Sequence, residues 1–211
     1  MGRHIPHLAE ILSILSRILK KSSQRPDTLC PTQAGLKTLV TGPARSGKSE
    51  WAESLASHTQ QSVCYVATAI AHPQDREWQD RIRQHQMRRP PDWRLVEVPY
   101  DLSQSLRDNS GVQTCLLIDS LGTWVANTLE SSASAWQGQM AELKNTVKTL
   151  PGTVIFVAEE TSWGVIPAYA SGRLFRDRLG GLIQHLSREM DQVFLVAGGY
   201  ALPLHQLGYP L

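Results

Sequence analysis

From residue 36 onward, short apolar runs alternate with longer stretches of mixed polarity, and Gly, Pro, Ser or Asp punctuates the joins. Runs at 37–41, 62–67, 94–98, 114–119, 153–158 and 192–197 predict six strands. Segments 48–57, 75–88, 121–129, 135–149 and 175–191 have the length and composition of helices. Strands that alternate with helices predict an α/β fold with a mostly parallel sheet flanked by helices. The run Cys115-Leu116-Leu117-Ile118 is apolar without alternation, as a strand covered on both faces requires.

Residues 1–36 follow a different pattern. Leu8, Ile11, Leu12, Leu15, Ile18 and Leu19 recur at helical spacing, with Arg17, Lys20 and Lys21 near the end, which predicts an amphipathic helix over 7–21. Pro26 and Pro31 then mark a linker. Glu10, Ser13, Ser16 and Arg17 interrupt the apolar stretch and argue against a cleavable secretory signal. The expected organisation is an N-terminal extension over 1–36 and a nucleotide-binding catalytic domain over 37–211. Packing on the main domain and contact with a membrane surface or partner are the alternative readings of the extension helix.

Composition narrows this picture only slightly. A chain of 211 residues with 41% hydrophobic and 19% charged positions can bury one substantial core. A formal net charge of +2 gives no reason to expect nucleic acid as a partner. Cys30, Cys64 and Cys115 lack metal-ligand spacing, and the last two lie in strand runs where a thiol acts as a small hydrophobe. No apolar run is long enough to span a membrane, and the expected location is the cytoplasm.

The strongest chemical signal joins the first strand to the first helix. Gly42-Pro43-Ala44-Arg45-Ser46-Gly47-Lys48-Ser49 fits G-x-x-x-x-G-K-[ST]. In such a loop consecutive backbone N–H groups turn onto phosphate oxygens and the helix N-terminus adds positive potential. Lys48 reaches the outer phosphates, and the Ser49 hydroxyl is a ligand for Mg²⁺. Asp119, ending an apolar strand, is a candidate second metal group at the carboxyl end of a strand beside the loop; its other reading is a helix N-cap. His85 shares a helical face with Trp78 and Ile82, a position that suits a structural histidine as well as a reactive one. Around it, Arg76, Arg81, Arg83, Arg88 and Arg89 are interleaved with Asp75, Glu77 and Asp80, as on a solvated helix, until Pro90-Pro91 stops it.

Taken in order, these motifs resemble the bifunctional adenosylcobinamide kinase and adenosylcobinamide-phosphate guanylyltransferase family, whose fold is of the P-loop NTPase type. The resemblance rests on the phosphate loop, then Tyr65-Val66-Ala67-Thr68, then Arg81-Ile82, His85, Arg89-Pro90 and Trp93, with Glu97 following. Asp119, Thr123 and Asn127 continue it, as do Gly164-Val165-Ile166-Pro167 and Arg173-Leu174-Phe175-Arg176-Asp177. Pro43 in place of a glycine, Gln84 in place of a second histidine and Ile183 in place of an asparagine are departures.

The resemblance implies two reactions in cobalamin biosynthesis. The hydroxyl of the adenosylcobinamide arm takes the γ-phosphate of ATP or GTP. A histidine, here His85, then takes GMP from GTP and passes it to adenosylcobinamide phosphate. Ala67, Thr68, Ala69, Gln86, Met87, Arg88, Arg89, Glu97 and Asp119 are implied as further contacts of the guanine nucleotide, with either Glu97 or Asp119 reading the base. Mg²⁺ on Ser49 and Asp119, and a homotrimer with sites near subunit contacts, are implied as well. Arg173, Arg176 and Asp177 are either phosphate-side contacts or helix-end charge pairs. Two other classes stay open: a single-activity P-loop kinase in which His85 is structural, and a non-enzymatic nucleotide-gated binding module. The chain lacks an N-K-x-D guanine motif, which counts against a GTPase-type switch.

Overall fold

The computed structural model describes residues 35–70, 74, 80, 82–83 and 86–211. The extension helix, the linker and His85 lie outside the described residues. Of the helix expected over 75–88, the described positions 80, 82–83 and 86–88 are helical.

Seven strands form one sheet among the described residues: β1 (Lys37–Gly42), β2 (Ser62–Ala67), β3 (Arg94–Glu97), β4 (Thr114–Asp119), β5 (Thr153–Glu159), β6 (Gln192–Ala197) and β7 (Tyr200–Pro203), in the order β3-β2-β4-β5-β1-β6-β7. Every pairing is parallel except β6 with β7. The carboxyl ends of β1 to β6 therefore emerge along one edge, where ligands of open α/β sheets bind.

Alternate residues of each central strand serve two cores. Leu39, Val66, Leu116, Ile118, Val154 and Phe156 face four helices: α2 (Leu102–Asn109), α3 (Leu121–Asn127), α4 (Ala133–Thr149) and α5 (Ala170–Ser187). Val40, Val63, Tyr65, Leu117, Ile155 and Val157 face the other way, against Ala52, Leu55 and Ala56 of α1 (Lys48–His58). A short α6 (Leu204–Leu207) follows the last strand. Cys64 and Cys115 are free and buried in these layers, in keeping with their reading as small hydrophobes, and burial pushes the Cys115 thiol up to about 12.

Two elements escape the hydrophobic pattern. Helix α2, Leu-Ser-Gln-Ser-Leu-Arg-Asp-Asn, is too polar to stand out, and it is held by Leu102 and Leu106, one turn apart and fully buried. Strand β7 returns through the two-residue Gly198-Gly199 turn, whose φ values of 59° and 82° are those a tight hairpin demands. Helix α5 begins earlier than expected and ends at Ser187 rather than at residue 191. Asp191 explains the stop: its carboxylate accepts from the Lys37 backbone N–H at 2.7 Å, and its own N–H donates to the Lys37 carbonyl. Those bonds fasten the turn to the start of β1 and take residue 191 out of the helix.

One buried cation fixes the helical layer. Arg178 of α5, 8% exposed, donates to the carbonyls of Thr128, Leu129 and Ser131 at 2.6–3.1 Å, and its guanidinium lies 5.1 Å from the Trp136 ring centre. It supplies the donors that the connector between α3 and α4 needs once its carbonyls leave water. Arg178→Ala is expected to destabilise the protein by about 3 kcal/mol, read from urea unfolding, because the part-buried carbonyls of Leu129 and Ser131 lose their guanidinium donor and Thr128 keeps only the Ser131 N–H.

Candidate active site

The loop at residues 42–49 is built by two backbone requirements. At Gly42 the end of β1 runs so close to β6 that a Cβ would collide with the Val196 carbonyl and sit 2.7 Å from Ser46 Oγ. Gly47, at φ 91°, turns the chain through the left-handed region into α1, and Arg45 shares that region at φ 57°. Lys48 Nζ donates to the Pro43 carbonyl at 3.3 Å, so the ammonium lies across the loop mouth. Ser49 is 8% exposed, and the buried Ser46 hydroxyl has no hydrogen-bond partner. A cation across the loop mouth and a hydroxyl left without a partner beside it suit an anionic ligand.

Asp119 stands further off than the sequence pattern implies. Its strand β4 does not lie beside the loop strand, because β5 is inserted between β4 and β1. At the usual strand spacing, β4 runs about 10 Å from β1. The strand beside the loop ends instead in Glu159, in register with Gly42. Glu159 is the site residue that the sequence pattern misses: Glu159-Glu160 at a strand end carries no spacing that tells it from an ordinary solvated pair.

Tyr65 of β2 anchors Asp119, its hydroxyl donating to Asp119 Oδ2 at 2.8 Å. Burial, then the Asp119 charge and this hydrogen bond, raise the Tyr65 pKa well above 10.0, with Glu53 adding to the rise and Arg89 opposing it. The Arg89 guanidinium lies 4.3 Å from the centre of the Tyr65 ring.

The end of β2 is sewn to α3 by hydroxyls. Thr68 donates to the Ser120 carbonyl at 2.7 Å, accepts from the Ser120 N–H at 2.9 Å and meets Thr123 Oγ1. Ser120 and Thr123 form the capping box of α3, and Asn127 Nδ2 donates to the carbonyls of Thr68 and Pro99. Thr123 and Asn127 are therefore placed as braces of the strand end.

Lys48, Ser49, Ala67, Ala69, Gln86, Arg89, Glu97 and Asp119 all line one cleft along the carboxyl edge of the sheet. Tyr65, Ile82, Leu95, Ser120, Thr123 and Glu159 complete its wall. Thr68 is fully buried, with its hydroxyl engaged as above. Met87 is 80% exposed and is not part of this wall. Arg88 reaches α1, pairing with Glu50 at 2.9 Å and Glu53 at 3.3 Å. Arg173 donates to the carbonyls of Pro167 and Ala168, and Arg176 pairs with Asp177 at 3.6 Å within the second turn of α5.

The family model of cobinamide kinase / cobinamide phosphate guanyltransferase matches residues 38–204, nearly the whole described domain. The chain belongs to this family. It is 37% identical over 177 residues to the bifunctional adenosylcobalamin biosynthesis protein CobP of Pseudomonas aeruginosa, covering 83% of this chain and 100% of that protein. It is 31% identical over 180 residues to the bifunctional adenosylcobalamin biosynthesis protein CobU of Escherichia coli, covering 79% of this chain and 98% of that protein. Among solved structures, an ATPase of a type III secretion system superposes with a TM-score of 0.52 at 10% identity, covering 82% of this chain and 53% of that one. That likeness is one of fold.

The Tyr65–Asp119 contact has a pH signature. A hydroxyl whose pKa is raised on folding stays protonated where the unfolded chain ionises, so its contribution is intact below pH about 10 and is lost as pH rises above that value. Urea unfolding between pH 9 and 11 is expected to show a fall in stability. Tyr65→Phe should flatten the Tyr65 part of that fall; an identical pH slope in the variant would remove Tyr65 as its source.

Proposed function

We propose that this chain carries out both reactions of its family at the cleft beside residues 42–49: phosphorylation of adenosylcobinamide by ATP or GTP, then guanylylation of adenosylcobinamide phosphate by GTP. The observation that carries this reading is the convergence of the loop groups Lys48 and Ser49 with Asp119, Glu97, Gln86 and Arg89 on one cleft, in a chain that matches the family across its catalytic domain.

In the first reaction the loop amides and Lys48 hold the β- and γ-phosphates and offset charge as the phosphoryl group moves; positioning and electrostatics supply most of such a barrier reduction. Ser49 would hold Mg²⁺ directly, and Asp119, two strands from the loop strand, would hold it through water. A hydroxyl and a carboxylate suit a hard cation that takes its remaining ligands from phosphates and water. Bound there, Mg²⁺ screens the phosphate charge.

In the second reaction His85 attacks the α-phosphorus. A bond forms from imidazole nitrogen to phosphorus, pyrophosphate leaves, and GMP stays on the ring until the cobinamide phosphate takes it. A neutral imidazole, with an unperturbed pKa of about 6.5, is available for this at cellular pH. Residues 86–89 follow His85 directly, and Gln86 and Arg89 bring that segment to the cleft wall. Glu97 and Asp119 flank Ala67 in register, one on either side, which gives the guanine edge a carboxylate from either direction. A homotrimer, a cytoplasmic location and an extension over 1–36 preceding the catalytic domain belong to the same reading. Among the described residues no helix is long and apolar enough to cross a membrane.

The test is covalent labelling. With α-³²P-GTP the protein is expected to acquire acid-labile, base-stable label, and His85→Ala should acquire none. Unlabelled, folded wild-type protein would defeat the guanylyltransferase half and leave the simple-kinase alternative. Lys48→Ala is expected to lower both γ-phosphoryl transfer to cobinamide and GMP labelling by about 100-fold or more, because the two steps share the phosphate anchor.

A further inference from the structure

Residues 86–89 reach the cleft wall through Gln86 and Arg89, beside Lys48 and Ser49. Among the described residues of 80–89, none joins either apolar core. Ile82 is half-buried on the cleft, and Met87 is 80% exposed. Hydrophobic packing, which seats the other helices, therefore does not set where this segment lies.

Arg88 supplies the link. Its Nε and Nη2 donate to Oε2 and Oε1 of Glu53, each at 3.3 Å, and its Nη1 donates to Glu50 Oε1 at 2.9 Å. One guanidinium is thus forked on one carboxylate and bonded to a second. Such a fork fixes the angle between the groups it joins as well as their distance. The Glu53 side chain is 13% exposed, so its carboxylate has little room to swing. Arg89 adds a contact with the face of the Tyr65 ring, which fixes no donor angle.

Position along the chain gives the fork its meaning. Glu50 and Glu53 belong to α1, in the two turns that follow Lys48 and Ser49. Arg88 follows His85 within the same short segment. The fork therefore joins the helix that begins at the phosphate anchor to the segment that carries the nucleophile of the second reaction. Glu50, Glu53 and Arg88 are not themselves part of the cleft wall.

We propose that Arg88, forked on Glu53 and Glu50, is a positioning residue for GMP transfer, setting the distance between the triphosphate on the loop and the His85 imidazole. The inference rests on the guanylyltransferase half of the function proposed above. Attack at phosphorus needs the reacting atoms in line and about 3–3.5 Å apart, and a displacement of about 1 Å costs about 100-fold in rate. Phosphoryl transfer to the cobinamide hydroxyl uses the loop but not His85. The two reactions therefore separate the role.

The test reads the rate at which the protein takes label from saturating α-³²P-GTP, with γ-phosphoryl transfer to cobinamide measured beside it. Glu53→Gln keeps the size of the side chain and removes its charge and one acceptor of the fork. Its labelling rate is expected to fall about 100-fold. The GTP concentration for half-maximal labelling and the rate of cobinamide phosphorylation should each stay within about threefold of wild type. Arg88→Gln should label as slowly, and the double variant no more slowly, because both changes break one link. Arg88→Lys keeps the charge without the fork and should label at a rate between wild type and Arg88→Gln.

A wild-type or faster labelling rate in Glu53→Gln or Arg88→Gln overturns the proposal. So does a double variant whose loss is the product of the single losses, or an Arg88→Gln loss that saturating GTP restores, since either makes Arg88 a nucleotide contact in its own right. An equal fall of both reactions in folded Glu53→Gln overturns it too. Should Glu53→Gln fail to fold, Arg88→Lys carries the test, and a wild-type labelling rate there refutes the fork. Wild-type protein that phosphorylates cobinamide but takes no label would instead refute the guanylyltransferase reading itself, and the Arg88 proposal with it.

Discussion

The approach of β1 to β6 at Gly42 is the contact on which the site depends. Residue 42 has no room for a side chain, because the Val196 carbonyl and the Ser46 hydroxyl occupy the space a Cβ would take. Its carbonyl accepts from the Glu160 N–H at 2.8 Å, which ties the loop's first residue to the end of β5. The phosphate loop thus leaves the sheet at a point fixed from both neighbouring strands. Lys48 and Ser49 inherit that position through α1, whose inner face is anchored by Ala52, Leu55 and Ala56. Rigid placement of charge ahead of the reaction is what gives such loops their catalytic value.

Much of the sheet was legible because its central strands β1, β2, β4 and β5 are buried on both faces. The bounds of β2, β4 and β6 coincide with the apolar runs at 62–67, 114–119 and 192–197. Parallel central strands have no polar face to blur the pattern. Strand β7 was not legible by that criterion: it is an edge strand, with Tyr200 75% exposed and alternating with the half-buried Ala201. Its real signal was the glycine pair before it. Helix α2 buries only one leucine per turn beneath a polar surface, so composition hid it.

The site divided in a similar way. Lys48 and Ser49 could be read from local spacing, because a phosphate loop is a contiguous device. Asp119 could be read as a strand end, but its distance from the loop depends on the insertion of β5 between β4 and β1, which no local pattern encodes. Glu159 becomes visible only in the fold, since its neighbours Gly122 and Ser120 are far from it in sequence and close in space. The hydroxyl brace of Thr68, Ser120 and Thr123 is likewise a product of strand order. It accounts physically for a threonine and an asparagine after the acidic strand end, without requiring either to touch substrate.

The two walls of the cleft are held by forces of different range. On one side Arg88 joins residues 86–89 to α1 through Glu50 and Glu53, with the Arg88 and Glu50 side chains 33% and 55% exposed. On the other, Tyr65 and Asp119 are joined by a short hydrogen bond from a buried ring. Dissolved ions weaken the first kind of link, because exposed charges are screened, and hardly reach the second. Ionic strength therefore acts on the cleft asymmetrically, loosening the segment that follows His85 while leaving the strand-end wall in place.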